Sequence, residues 1–239
     1  ANVGFNSPEM SQAEMTRTDV LALIKTAREK GQRADFTAKR LSGLDLSGLD
    51  FSGVIFRSAR MNHTNFSGSM LDDAIFDQAW MFGAKLNNAS MRNAQLFQAQ
   101  MVGADLSGAD LSNARLASNL TKAIMKGTIL ADAHLGADMR NQSMGLMRAV
   151  MVSADLSGAN LSGADLSRVD LEFATLQGAN LSDTDLTGAT LGGADLTGAS
   201  IAGANFENAD VTSATLKGLT GGHESTLEKA KNLKRAYRD

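Results

Sequence analysis

The stretch ADLSGANLSGADLSRVD, residues 154–170, repeats a five-residue beat: a small residue, Asp or Asn, an apolar centre, then two residues rich in Ser and Gly. The beat extends in both directions from Leu156, Leu161 and Leu166. Centres recur every five residues from Phe36 through Leu41, Leu46, Phe51 and Phe56 to Leu116. A second phase holds Leu120, Met125, Leu130 and Leu135, and a third holds Met139 and Met144. Met151 then restores the first phase, which runs to Leu216. All 37 of these centres are apolar, and Ala stands two residues before 12 of the last 14.

Period five fits neither a 3.6-residue helix nor an alternating strand. A helix would spread the centres around its whole surface and bury many Gly, Asp and Asn, which are poor helix formers. A chain that turns a corner every five residues does fit. Four blocks close one square coil of about 20 residues, with centre and Ala inward and the other three positions outward. Coils then stack by backbone hydrogen bonds at the ~4.8 Å strand spacing, so about nine coils make a rod of ~45 Å. Gly and Asn suit the corners, where unusual dihedrals are needed.

The phase changes fall between 114 and 148. The count places four-residue blocks at ARLA (114–117) and AHLG (133–136) and a seven-residue block at 142–148. The favoured expectation is a structural kink. The alternative is that QSMGLMR (142–148) projects as a small recognition loop.

With ADLSGADLSNA (104–114) and ADLTGASIAGANF (194–206), these blocks resemble the A(D/N)LXX consensus of the pentapeptide repeat family over residues 34–218. The resemblance implies an all-β solenoid, a right-handed quadrilateral β-helix. Some members of that family resemble duplex DNA in size and charge and bind type II topoisomerases such as DNA gyrase. Membership predicts architecture better than function.

A solenoid needs covered ends. Residues 1–33 read as an N-terminal segment with a capping helix over 11–31. Ser11 with Glu14, or Thr18, would start it; Val20, Leu21, Ile24 and Ala27 give its apolar face, and Gly31 ends it. Residues 219–239 read as a C-terminal capping helix opened by Ser225 and Glu228, with Leu227, Ala230, Leu233 and Tyr237 at helical spacing. The favoured role is a lid on a monomer. The alternative is a homodimer contact, as in topoisomerase-binding members of the family.

The chain of 239 residues has no Cys, which excludes disulfides, thiolate metal sites and a Cys nucleophile. No apolar run approaches the roughly 18 residues of a membrane span. The first residues lack the basic and apolar regions of a secretion signal. A cytoplasmic location is the expectation, with an exported effector kept open because Ala1 is not an initiator Met. His63, His134 and His223 occupy unrelated repeat positions. Ser and Asp on a rigid rod form ladders, not a base within reach of a nucleophile. The expectation is no catalytic residue, no cofactor and no metal: a non-enzymatic binding scaffold whose partner is a protein.

Two surfaces could carry that partner. Trp80, Phe82, Phe97 and Val102 occupy outward positions, with Arg60 one coil below Trp80 and placed for a cation–π contact. Local packing, with the N-terminal segment folded back over Trp80, competes with the partner reading. The second surface is acidic. Residues 34–148 carry a net charge of +1 and residues 149–218 a net −7. Spread over ~17 Å of rod, the −7 amounts to one net charge per ~2.4 Å, against ~1.7 Å in duplex DNA. A DNA-mimic binder of DNA gyrase or topoisomerase IV would use Asp155, Asp165, Asp170, Asp185, Asp195 and Asp210. Direct nucleic-acid binding is not expected, because no basic stripe is present.

Overall fold

The computed structural model describes residues 4–137 and 147–239. From Asp35 onward the residue before each centre bridges, in parallel, its equivalent one coil on. The partners stand four blocks apart in sequence: Asp35 with Ile55, Arg40 with Arg60, Asp45 with Asn65, Asp50 with Met70. Four such ladders run the length of the body, one per side of a square coil. Each centre N–H donates to the next coil, as from Phe36 to the Ile55 carbonyl at 2.7 Å, and Ile55 N–H returns a bond to the Ala34 carbonyl at 2.9 Å. Such bonds satisfy backbone groups that would otherwise be orphaned inside a tightly wound chain.

The inward assignment holds. Centres and the small residues two before them are buried, with Leu166, Leu171 and Ala164 at 0–1% exposure. In the early coils five of the nine centres from Phe36 to Phe76 are aromatic: Phe36, Phe56 and Phe76 stack in one column at 5.6 and 5.2 Å, with Phe51 and Phe66 set edge-on beside them. Toward the C-terminus Leu replaces Phe. Two residues after most centres the chain turns in the left-handed region; Gly163 sits at φ +68° and Asn113 at +58°. Gly and Asn tolerate that conformation.

The N-terminal cap differs in its details from expectation. A single turn, α1 (Pro8–Ser11), precedes α2 (Arg17–Glu29). Thr16, not Ser11 or Thr18, caps α2, in a reciprocal pair with Asp19. Val20 and Ile24 are buried against the first coil, whereas Leu21 is 41% exposed. Glu14, freed from capping, finishes the open edge: its N–H donates to the Arg40 carbonyl at 2.9 Å, and its carboxylate accepts from the Arg40 backbone and side chain. Arg17 donates to the Asp45 and Ser47 carbonyls and Arg28 to the Asp50 carbonyl. The cap therefore supplies donors to carbonyls that have no coil beneath them.

The expected C-terminal helix is not there. Residues 219–239 form one more, irregular coil with corners at three single 3₁₀ turns, Gly222–Glu224, Leu227–Lys229 and Leu233–Arg235. β1 (Thr215–Leu216) pairs in parallel with β2 (Tyr237–Arg238), and Lys231 bridges Asp210. Backbone donors of the preceding coil explain the outcome: Gly203, Asn208 and Val211 N–H groups all find carbonyls in this segment. A helix would have left them unpaired. Leu227 is buried, and Leu233 and Ala236 pack partly against the core.

The irregular zone also reads differently. Gln100 bridges Asn119, one position short of the regular four-block step, so one corner lacks a residue; Ser118 takes the inward Ala position and its N–H donates to the Leu116 carbonyl. AHLG (133–136) is not a short block. Ala137 N–H donates to the Ser167 carbonyl as a regular corner residue does, and Ala149 N–H donates to the Leu135 carbonyl as the residue three after a centre does. Asn119 in turn bridges Val150, far beyond the regular step. The solenoid thus passes from Ala137 to Ala149 in one step, and residues 138–148 are an eleven-residue insertion. Met139, Met144 and residues 142–146 of the supposed loop or kink lie outside the described residues.

Replacing Leu166 with Asp should place a carboxylate without a partner in this column. The cost is several kcal/mol. At about 2–4 °C per kcal/mol for a chain of this size, the melting temperature should fall by about 10 °C; an unchanged melt would contradict the inward assignment.

Candidate functional site

Trp80, Phe82, Phe97 and Val102 lie on one side of the rod and its two corners, whereas the exposed Met70 and Ile129 lie on a second side and Ile124 on a third. Trp80 lies on the ladder between Arg60 and Gln100, and Phe82 follows two residues later at the corner. Their rings stack with centroids 6.4 Å apart. Arg60 is the ladder neighbour of Trp80, but Phe82 supplies the ring contact. Phe82 and Val102 occupy the same corner in successive coils. Phe97 sits on the corner at the other edge of the Trp80 side, and all four are half-buried.

Two further segments flank this side. The N-terminal arm crosses the Phe82 corner: the Phe5 ring lies 4.6 Å from that of Phe82, and Met10 is buried with its carbonyl accepting from Asn62 Nδ2 at 3.1 Å. The expected fold-back of the N-terminus is therefore real, onto Phe82. At the opposite edge the insertion leaves the rod at the corner column that contains Phe97. Gln98 Nε2 approaches Met147 Sδ at 3.5 Å. The Trp80 side is thus a strip with the arm at one edge and Met147 at the other.

Sequence reasoning missed Phe173. It is 64% exposed and stands on the corner column of Phe82 and Val102, at φ +59°, a conformation a bulky residue seldom adopts. Its ring lies over Gly193, where an added Cβ would come within 2.6 Å of Phe173 Cδ1. The available signal was an aromatic residue two after centre Leu171, where the coils on either side place Ser153 and Gly193.

The six acids are half-buried ladder residues rather than free surface charges. They divide among three of the four sides: Asp155 and Asp195, Asp165 and Asp185, Asp170 and Asp210. Asp165 and Asp185 are direct neighbours in one ladder. Each turns one oxygen back to its own corner. Asp155 Oδ1 accepts from Ser157 N–H at 3.0 Å and Ser157 Oγ at 2.6 Å; Asp185 Oδ1 accepts from Thr187 N–H at 2.9 Å. The recurrent Asp or Asn of the repeat is thus a corner clamp.

These bonds move titrations. Partial burial pushes the Asp155 carboxyl up, but Ser157 and the Lys126 ammonium at 3.6 Å outweigh it and hold it below the ordinary Asp value. Burial likewise opposes, and Thr197 and Gln177 overcome, the shift at Asp195. At Asp210 the Thr212 hydroxyl and Asn232 amide lower it. Carboxylates that titrate lower folded than unfolded contribute fully above the unfolded value of ~3.9, and lose that contribution as pH falls through the folded values. Stability measured by urea unfolding should therefore be level from pH 7 to about 5 and decline below about 4. A combined Asp155→Asn, Asp195→Asn, Asp210→Asn variant should decline less steeply, and an identical acid limb would refute the clamp assignment.

His63, His134 and His223 lie apart on the rod, and no group of three or more His, Asp or Glu among the described residues could hold a metal. No described helix is long and apolar enough to cross a membrane.

No curated protein matches the chain. Among solved structures it is similar to HetL, a pentapeptide repeat protein involved in heterocyst differentiation regulation from the cyanobacterium Nostoc, at 28% identity over 93% of this chain and 97% of that one, with a TM-score of 0.38. It is also similar to Rfr23 of the cyanobacterium Cyanothece, at 32% identity over 51% and 91% with a TM-score of 0.31. QnrB1, a plasmid-mediated fluoroquinolone resistance protein, matches at 16% identity over 80% and 90%, with a TM-score of 0.44. Pentapeptide repeat proteins of known structure form right-handed quadrilateral β-helices. The family model for pentapeptide repeats matches in 8 copies across residues 34–113 and 146–218 and skips the stretch that holds the short corner and most of the insertion. On that match, over more than half its length, the chain belongs to the pentapeptide repeat proteins.

Proposed function

We propose that the protein is a non-enzymatic scaffold that binds a protein partner on the Trp80 side of the rod. One observation carries this reading: Trp80 and Phe82 stack on that side, Phe97 stands at its other corner, and the arm and Met147 reach its two edges. A rigid solenoid holds such groups at fixed spacing, so little ordering is required on binding. Partly exposed aromatic residues in a half-buried setting are the residue types that dominate binding energy at interfaces. Capture from cells of the source by tagged parent and by a Trp80→Ala/Phe97→Ala variant tests it. The variant should retain the parent's melting temperature and lose about tenfold or more of the captured partner. Equal recovery by both would overturn the reading.

The net −7 over residues 149–218 favours a second reading, a DNA mimic acting on DNA gyrase or topoisomerase IV. A six-fold Asp→Asn variant at Asp155, Asp165, Asp170, Asp185, Asp195 and Asp210 separates the two. Asn keeps the corner, since Asn160 Oδ1 already accepts from Ser162 N–H at 3.0 Å. Mimicry requires a parental effect on gyrase supercoiling that this variant loses and that weakens as salt rises. A parent without effect at micromolar concentration would end it.

A further inference from the structure

A cleft of ≈ 410 Å³ opens between the N-terminal arm and the rod. Its rod wall is Asn62, His63, Phe82 and Val102, with Gly83 and Gly103 at the corner; its other wall is Phe5 and Met10 of the arm. Two of the rod's backbone donors here are satisfied without the arm. Asn62 N–H donates to Ser42 Oγ at 3.1 Å, and Phe82 N–H donates to Asn62 Oδ1 at 3.0 Å. The Asn62 amide still has Nδ2 to offer, and it meets a backbone carbonyl, that of Met10. A carbonyl is present on any peptide.

The arm fits this seat imperfectly. Phe5 stacks on Phe82 yet remains 57% exposed. Ser7 Oγ is the one buried side-chain polar atom among the described residues with no hydrogen-bond partner. α1 is a single turn, and beyond it the chain is fixed again at Glu14 by the Arg40 carbonyl. The seat accepts an aromatic ring, a buried aliphatic side chain five residues on and one carbonyl, and the arm supplies all three.

We propose that this cleft is a docking site for a peptide segment of a partner protein that turns as the arm does and carries an aromatic and a long apolar side chain at this spacing, and that the Phe5–Met10 arm is its built-in, displaceable occupant. The inference rests on the scaffold reading, in which the partner approaches this side. The arm shows the chemistry of the ligand because it is a ligand on a tether. A short tether gives an effective concentration of about 1 mM, so a free peptide of ~0.1 mM intrinsic affinity is suppressed about tenfold by the arm.

The test uses the full chain and a fluorescein-labelled peptide with the sequence of residues 4–12, GFNSPEMSQ. Anisotropy should show the peptide binding Phe5→Ser about tenfold more tightly than the parent, and binding should be lost when Phe82→Ala is added. Trp80 is the chain's one Trp and stacks on Phe82, so its emission reports release of the arm in the same samples. No gain on Phe5→Ser, or undiminished binding by the Phe5→Ser/Phe82→Ala variant, would overturn the proposal. If it falls while Trp80- and Phe97-dependent capture persists, the scaffold reading stands and only the cleft is misassigned.

Discussion

One hydrogen-bonded step governs this molecule: the N–H of each centre reaching the carbonyl of the ladder residue one coil on, as from Leu166 to Asp185 at 2.7 Å. The bond fixes the coil at four blocks of five and places every centre over its equivalent in the next coil. Inward Ala is small because four Ala and four centres share each layer, as Ala164 and Leu166 do with their neighbours. The Asp or Asn before the centre then clamps the corner, and the left-handed residue completes it. Ends are the weak points of such a stack. Here they are closed by different means, side-chain donors from α2 at one end and an irregular extra coil at the other.

That regularity gives the exceptions their meaning. A rod that repeats its backbone repeats its surface, so departures stand out as specific features. The acids fall within the repeat: Asp155, Asp195 and Asp210 are held by their own corner hydroxyls, and the six occupy three sides. The aromatics fall outside it. The Trp80 backbone lies on a ladder, but the Trp80 and Phe82 rings take no part in the corner clamps, and the arm and Met147 approach the same strip from its two edges. This asymmetry places recognition on the Trp80 side in our account and gives the C-terminal acids a structural role first.

Sequence alone carried the body of the fold because each block repeats the same physical demand. It carried Trp80, Phe82, Phe97 and Val102 for the same reason, as breaches of the pattern. It failed where pairing across coils decides. Loss of one residue at Ala117–Ser118 and gain of eleven after Ala137 sum to two whole blocks, so the phase returned at Met151 and the insertion passed as irregular repeats. At the C-terminus, Leu227, Ala230 and Leu233 have helical spacing, but Gly203, Asn208 and Val211 demanded acceptors and drew the segment into a coil. The Ser11–Glu14 capping signature lost to Thr16–Asp19 because the Arg40 edge claimed Glu14. Phe173 was overlooked because its neighbours on the corner column, Ser153 and Gly193, are small.

The central claim is that the solenoid is continuous from Ala137 to Ala149, so that the coil does not need the eleven residues between them. Excising residues 138–148 joins these two alanines and leaves the regular spacing of five from Leu135 to Met151. Thermal unfolding followed by circular dichroism measures the consequence. The account predicts a folded rod whose melting temperature shifts by less than about 4 °C, equivalent to about 1 kcal/mol in a chain of this size. An unfolded product, or a melting temperature lower by more than about 10 °C, would show that the insertion carries part of the coil and would contradict the register.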